Sequence, residues 1–91
     1  MKELNNEELL ELIKTDVEKF NNYRAEFPNQ KIDFENVNFV CADLRGADFR
    51  GADFTGADLS ESNLEAAKIT LTKENIEAIK WAILNGSSVQ G

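Results

Sequence analysis

The 91 residues include no histidine and one each of cysteine, proline, tryptophan, tyrosine and methionine. Without histidine, the commonest general base and metal ligand is missing. The lone Cys41 excludes an internal disulfide, which suits a reducing compartment. No apolar run approaches the roughly 18 residues of a membrane span. The N-terminus lacks the apolar core of a signal peptide, so the expected location is cytoplasmic and no membrane partner is expected. Positive charge is also short: ten Lys or Arg stand against 17 Asp or Glu, a net charge of −7. That balance excludes nucleic-acid binding driven by phosphate neutralisation. It points to solubility, to a basic partner, or to mimicry of nucleic acid. The acidity lies in residues 1–70, because residues 71–91 carry two basic and two acidic side chains. The length predicts a single domain, 1–91.

Residues 32–71 read as eight consecutive five-residue units, beginning Ile32-Asp33-Phe34-Glu35-Asn36 and ending Ala67-Lys68-Ile69-Thr70-Leu71. The third position is always Phe, Leu or Ile, and the second is Asp or Asn in seven of the eight units. The first is small or β-branched, usually Ala. A period of five fits neither a helix nor a long strand. Apolar, polar, apolar at positions one to three is strand alternation lasting three residues. Gly46, Gly51 and Gly56 at position five permit a sharp corner. The prediction is a mainly β solenoid, which buries a continuous core by stacking its repeats.

Tandem Ala-Asp-Leu/Phe-x-Gly, as in Ala42-Asp43-Leu44-Arg45-Gly46 and Ala47-Asp48-Phe49-Arg50-Gly51, resembles the pentapeptide-repeat proteins. The lead-in also resembles a segment found before such repeats: Phe20-Asn21-Asn22-Tyr23-Arg24, then Phe27-Pro28, with Phe20 and Tyr23 where Trp is more usual. The resemblance implies a right-handed quadrilateral β-helix with four units per coil. Eight units then make two coils, and residues 20 apart stack. The expected core ladder is Phe34 over Phe54, Phe39 over Leu59, Leu44 over Leu64 and Phe49 over Ile69. On the outside, Arg45 is expected over Glu65 and Asp48 over Lys68. Val40 and Cys41 break the polar outer pattern and are expected to touch the N-terminal helices. A reactive thiol is the sharper reading of Cys41.

The row Asp33, Asp43, Asp48, Asp53 and Asp58 looks like a set of acids for catalysis or metal binding. Asp and Asn side chains also bond local backbone and support turns. A role that recurs in every unit needs no special chemistry, so no catalytic, metal or cofactor residue is assigned.

The flanks read as helical caps, which the terminal units of a solenoid require. Asn5 and Asn6 before Glu7 and Glu8 start a helix over about 6–14. Thr15-x-x-Glu18 reads as a capping box opening a second helix over about 16–26, closed by Pro28. After the repeats, Thr72 caps a helix over 73–85, with Leu71 and Ile76 as a hydrophobic staple. Its Ile76, Ile79 and Ile83 stripe is expected to cover the open coil. Trp81 and Leu84 lie to one side, as an interface or folded over the coil edge. The expected organisation is therefore an N-terminal cap at 1–31, repeats at 32–71, a C-terminal helix within 72–86 and a loose tail at 87–91.

No nucleophile–base set, phosphate loop or metal-ligand spacing is present. The expected function is a non-enzymatic interaction module that binds a protein partner or self-associates as a homodimer through the C-terminal helix. Candidate interface residues are Trp81, Leu84, Val40, Arg45 and Arg50. The best-understood branch of the resembled family suggests an alternative: an acidic DNA mimic that inhibits or protects DNA gyrase, or another nucleic-acid-handling protein. The charge fits that alternative and the size does not. Two coils stack to only ~10 Å, against ~34 Å for a turn of DNA. Direct nucleic-acid binding is not expected.

Overall fold

The computed structural model describes residues 2–89. Its helices are α1 (Asn6–Thr15), α2 (Val17–Glu26) and α3 (Lys73–Leu84). Between α2 and α3 the chain makes only two-residue strands: β1 (Ile32–Asp33), β2 (Asp48–Phe49), β3 (Ala52–Asp53) and β4 (Lys68–Ile69). β1 pairs with β3 and β2 with β4, both in parallel. Isolated parallel bridges join Asn38 to Asp58 and Asp43 to Asn63. Each pairing joins residues 20 apart in the chain. Residues 32–51 thus form a first layer and 52–71 a second, linked by four ladders.

The five-residue period follows from how each unit satisfies its backbone. The carbonyl at position three accepts the N–H of the next unit's first residue, at 2.9–3.3 Å in six turns. The fifth residue of such a turn has positive φ at Asn36, Cys41, Gly46, Gly51, Gly56, Glu61 and Ala66. Positive φ at the third residue of a four-residue turn marks the type II class, which favours Gly or Asn. The position-two side chain takes the N–H of position four. Asp33 accepts from Glu35, Asn38 from Val40, Asp43 from Arg45, Asp48 from Arg50, Asp53 from Thr55, Asp58 from Ser60 and Asn63 from Glu65. Lys68 cannot do this.

N–H groups at positions three and five bond to the layer above, as in Phe34 to the Asp53 carbonyl and Asn36 to the Thr55 carbonyl. Phe34, Phe39, Leu44, Phe49, Phe54, Leu59 and Leu64 are buried, and Ile69 is half-buried. The rings of Phe49 and Phe54 meet edge to face at 5.0 Å, and those of Phe34 and Phe54 lie 5.9 Å apart.

A stack this short leaves backbone groups unpaired at both ends, where a missing partner costs roughly 1–3 kcal/mol per buried group. Carboxamides fill the gap. Asn21 donates from Nδ2 to the Gly46 carbonyl (2.9 Å) and accepts the Asp48 N–H at Oδ1 (2.8 Å). Asn6 accepts the Asp33 N–H. At the other end Asn75 donates to the Ala52 and Thr70 carbonyls and accepts the Phe54 N–H, all at 2.8–2.9 Å. Ser88 then pairs in parallel with Asn63, and Asn85 accepts the Glu61 N–H.

The lead-in motif is used up in the same way. Phe20 packs on Phe49, and the Tyr23 hydroxyl bonds Gln30 and the Leu4 N–H. The buried Arg24 guanidinium donates to the Phe27, Pro28, Gln30 and Arg50 carbonyls.

Five expectations need correction. Thr15 does not cap α2; it ends α1, with its hydroxyl on the Glu11 and Leu12 carbonyls, and Asp16 is the cap. Ile79 is half-buried, but the exposed Ile76 and Ile83 of its stripe do not cover the stack. Asn75, Ala78 and Ala82 do, because only small side chains bring α3 close enough for the Asn75 bonds. Asp48 does lie over Lys68 in register, but the side-chain pairs differ: Arg45 bonds Asp43 and Arg50 bonds Asp48, within their own units, since the turn already holds each carboxylate beside position four. Cys41 faces Glu61 rather than the N-terminal helices. Residues 87 and 88 are bonded into the stack rather than loose; Gln90 and Gly91 lie outside the described residues.

Asn75→Ala should cost about 2–4 kcal/mol in urea unfolding, because it orphans one N–H and two carbonyls. A loss below about 0.5 kcal/mol would contradict the capping role. Ala66→Gly should gain up to about 1 kcal/mol, since left-handed backbone costs a non-glycine residue about 1–2 kcal/mol and glycine's extra unfolded-state entropy returns part of it. Gly56→Ala should lose more than Gly46→Ala. The new methyl group would meet the Asn36 side chain at Gly56 and open space at Gly46.

Candidate interaction surface

α3 turns its small residues inward, which decides what it shows to solvent. Leu84 is 81% exposed, Leu71 70%, Trp81 57%, Ile83 50% and Ile76 39%. At roughly 100° per residue, Ile76 and Ile83 share one flank of the helix, Trp81 lies on the other, and Leu84 sits outward between them, nearer Trp81. Trp81 borders a groove of about 680 Å³ between α3 and residues 55–58, floored by the buried Ala57 and Ala78.

The remaining interface candidates lie elsewhere. Val40, 40% exposed, lines a hollow beside Lys14. Arg45 lines a groove along residues 13–17. Arg50 borders a small hollow of about 220 Å³ with Arg24, Pro28 and Asp48. The Val40 and Arg45 hollows adjoin, sharing Lys14 and Asp43, but those at Arg50 and Trp81 lie apart, so the structure does not gather Val40, Arg45, Arg50 and Trp81 into one surface. Sequence reasoning placed Ile76 and Ile83 in the core and missed their exposure. The signal was the Asn75, Ala78, Ala82 spacing, which is as helical as the isoleucine stripe.

The acidic row offers little chemistry. Hydrogen bonds from Arg45, Arg50, Thr55 and Ser60 hold the carboxyls of Asp43, Asp48, Asp53 and Asp58 below the usual carboxylate range. Glu35 is pushed up by the charges of Asp33 and Asp53. The Cys41 thiol lies 3.4 Å from Glu61 Oε2, and that bond pushes it up, away from the reactive thiolate. Among the described residues no three His, Cys, Asp or Glu side chains converge as a metal site. No helix there is long and apolar enough to cross a membrane.

A carboxyl whose folded pKa is depressed adds stability above its unfolded pKa, near 3.9, and loses it as pH falls through the folded value. Glu35 has the opposite sign, relieving repulsion when protonated. Four depressed groups outweigh one raised one. Thermal stability should therefore fall as pH drops below about 4. Asp53→Asn should blunt that fall while keeping the turn, as Asn38 and Asn63 do in their own units. A Tm that stays flat from pH 5 to about 2.5 would contradict the assignment.

Residues 30–67 match the family model for pentapeptide repeats, in eight copies. No curated protein and no solved structure matches the chain. The matched span stops short of Lys68, the one position-two residue that cannot make the turn bond. Such repeats imply a β-solenoid. The sequence period, the turn bonds and the family match agree: residues 30–67 are pentapeptide repeats.

Proposed function

We propose that this protein is a non-enzymatic interaction module whose contact surface is the outward flank of α3. The four ladders of residues 20 apart fit a right-handed quadrilateral β-helix of two coils, capped by α1 and α2 at one end and by α3 at the other. On this reading residues 1–91 are one domain and the repeats are a rigid mount for the caps. Pentapeptide repeats in general serve as structural or interaction modules, which supports the reading.

One observation carries it: α3 buries Asn75, Ala78 and Ala82 while Leu71, Ile76, Ile83 and Leu84 face water. Contiguous exposed apolar surface on a small protein marks a contact site. The occupant proposed for this flank is a second copy. Residues 71–91 balance their charges in a chain of net −7, so two copies repel least when they meet here. Burying each such side chain contributes roughly 1.5–3 kcal/mol, and association costs roughly 4–15 kcal/mol. The pairing is therefore weak, and exchange with another protein's apolar surface is within reach. The DNA-mimic alternative has less support, because Arg45 and Arg50 sit on Asp43 and Asp48 and interrupt the acidic row.

Light scattering across a concentration series should show the wild type passing from monomer to dimer. Leu84→Glu should hold it monomeric with an unchanged circular dichroism spectrum, and Arg45→Glu should leave the dimer intact. A wild type that stays monomeric at millimolar concentration would end the self-association reading.

A further inference from the structure

The top of the second layer is closed unevenly. The first ladder ends on Asn75 and the third on Ser88. Between them, the second ladder opens into the groove beside Trp81. One layer down, the equivalent backbone is paired: the Asn36 N–H donates to the Thr55 carbonyl (2.9 Å) and the Val37 carbonyl accepts the Asp58 N–H (3.0 Å). The corresponding second-layer groups are the Gly56 N–H and the Ala57 carbonyl. Both residues line the groove, and among the described residues neither group has a hydrogen-bond partner. The floor is apolar, from Ala57 and Ala78, with the Trp81 ring as a wall. The rim carries the carboxylates of Asp58, Glu74 and Glu77 against the single cation Lys73. Lys80 reaches Glu77 at 3.6 Å, but both are largely exposed, so that pair is weak.

We infer that this groove takes an extended, basic segment of another protein as a third-layer strand. The ligand backbone supplies what a further repeat would: a carbonyl for the Gly56 N–H and an N–H for the Ala57 carbonyl. This is strand addition at an open sheet edge. A central apolar side chain of the segment lies on Ala57 and Ala78 against Trp81. Lysine or arginine on either side meets Glu74, Glu77 and Asp58, which gives the site its choice of charge and a salt-dependent association rate. The inference rests on the interaction-module reading and narrows it to a second site, on the side of α3 away from Ile76 and Ile83.

Trp81 is the only tryptophan, so its fluorescence reports on the groove directly. The probes are four blocked heptapeptides: Lys-Lys-Val-Leu-Val-Lys-Lys, its Glu-flanked counterpart, its Gly-Gly-Gly-centred counterpart, and a form of the first with the central backbone nitrogen methylated. The first should shift Trp81 emission to the blue and saturate. The other three should bind at least about tenfold more weakly. The Glu74→Lys, Glu77→Lys double variant, altered only at exposed positions, should reverse the charge preference. Equal binding of the Glu-flanked or the methylated peptide overturns the inference. An emission shift that follows protein concentration without peptide also overturns it, because a second copy then fills the groove. If no peptide shifts Trp81 while light scattering still shows the dimer, this inference falls and the module reading stands.

Discussion

The structure depends on one constraint: a stack of two layers has as many open ladder edges as closed ones. Long repeat proteins dilute that problem over many layers, and this chain cannot. Each layer-one N–H at position three finds a carbonyl above it, and each equivalent group in layer two needs a substitute. Asn75 provides it for Phe54, and at the opposite end Asn21 serves the open edge of layer one in the same way, each with one carboxamide that presents a donor and an acceptor as a peptide unit would. Ser88 provides it with real backbone. The caps are thus stand-ins for missing repeats, and their identities follow from the edge they must satisfy.

That requirement explains the surface. For Asn75 to reach the Ala52 and Thr70 carbonyls and the Phe54 N–H, α3 must lie almost on the stack. Alanines allow the approach and isoleucines would prevent it. Three satisfied backbone groups, at roughly 1–3 kcal/mol each, outweigh what is lost by leaving two isoleucines part-exposed. The larger apolar side chains are turned outward, where they become available to a partner. An exposed apolar flank here is a consequence of edge capping, and the same capping leaves one ladder edge open beside Trp81.

The conspicuous acids follow from the turn rather than from chemistry. Seven position-two side chains make one bond each to the N–H two residues on. Asn38 and Asn63 do it without charge, so the bond and not the carboxylate is the reason for the residue type. Arg45 and Arg50 then settle on Asp43 and Asp48 because the turn has already brought them together.

The repeats were legible in the sequence by themselves. The five-residue period dictates which side chains are buried and where the corners fall, because turn bonds are local and repeat identically, while the 20-residue stacking followed from the resemblance to pentapeptide repeats. Helix positions were legible to within a residue or two from Asn5, Thr72 and Pro28, since caps are local as well. What the tertiary structure alone decided was orientation. Two stripes on α3 had helical spacing, Ile76 with Ile83 and Asn75 with Ala78 and Ala82, and hydrophobicity favours the first. The choice fell to the second because the helix meets a polar backbone edge, and that edge exists only once residues 52–71 have stacked on 32–51.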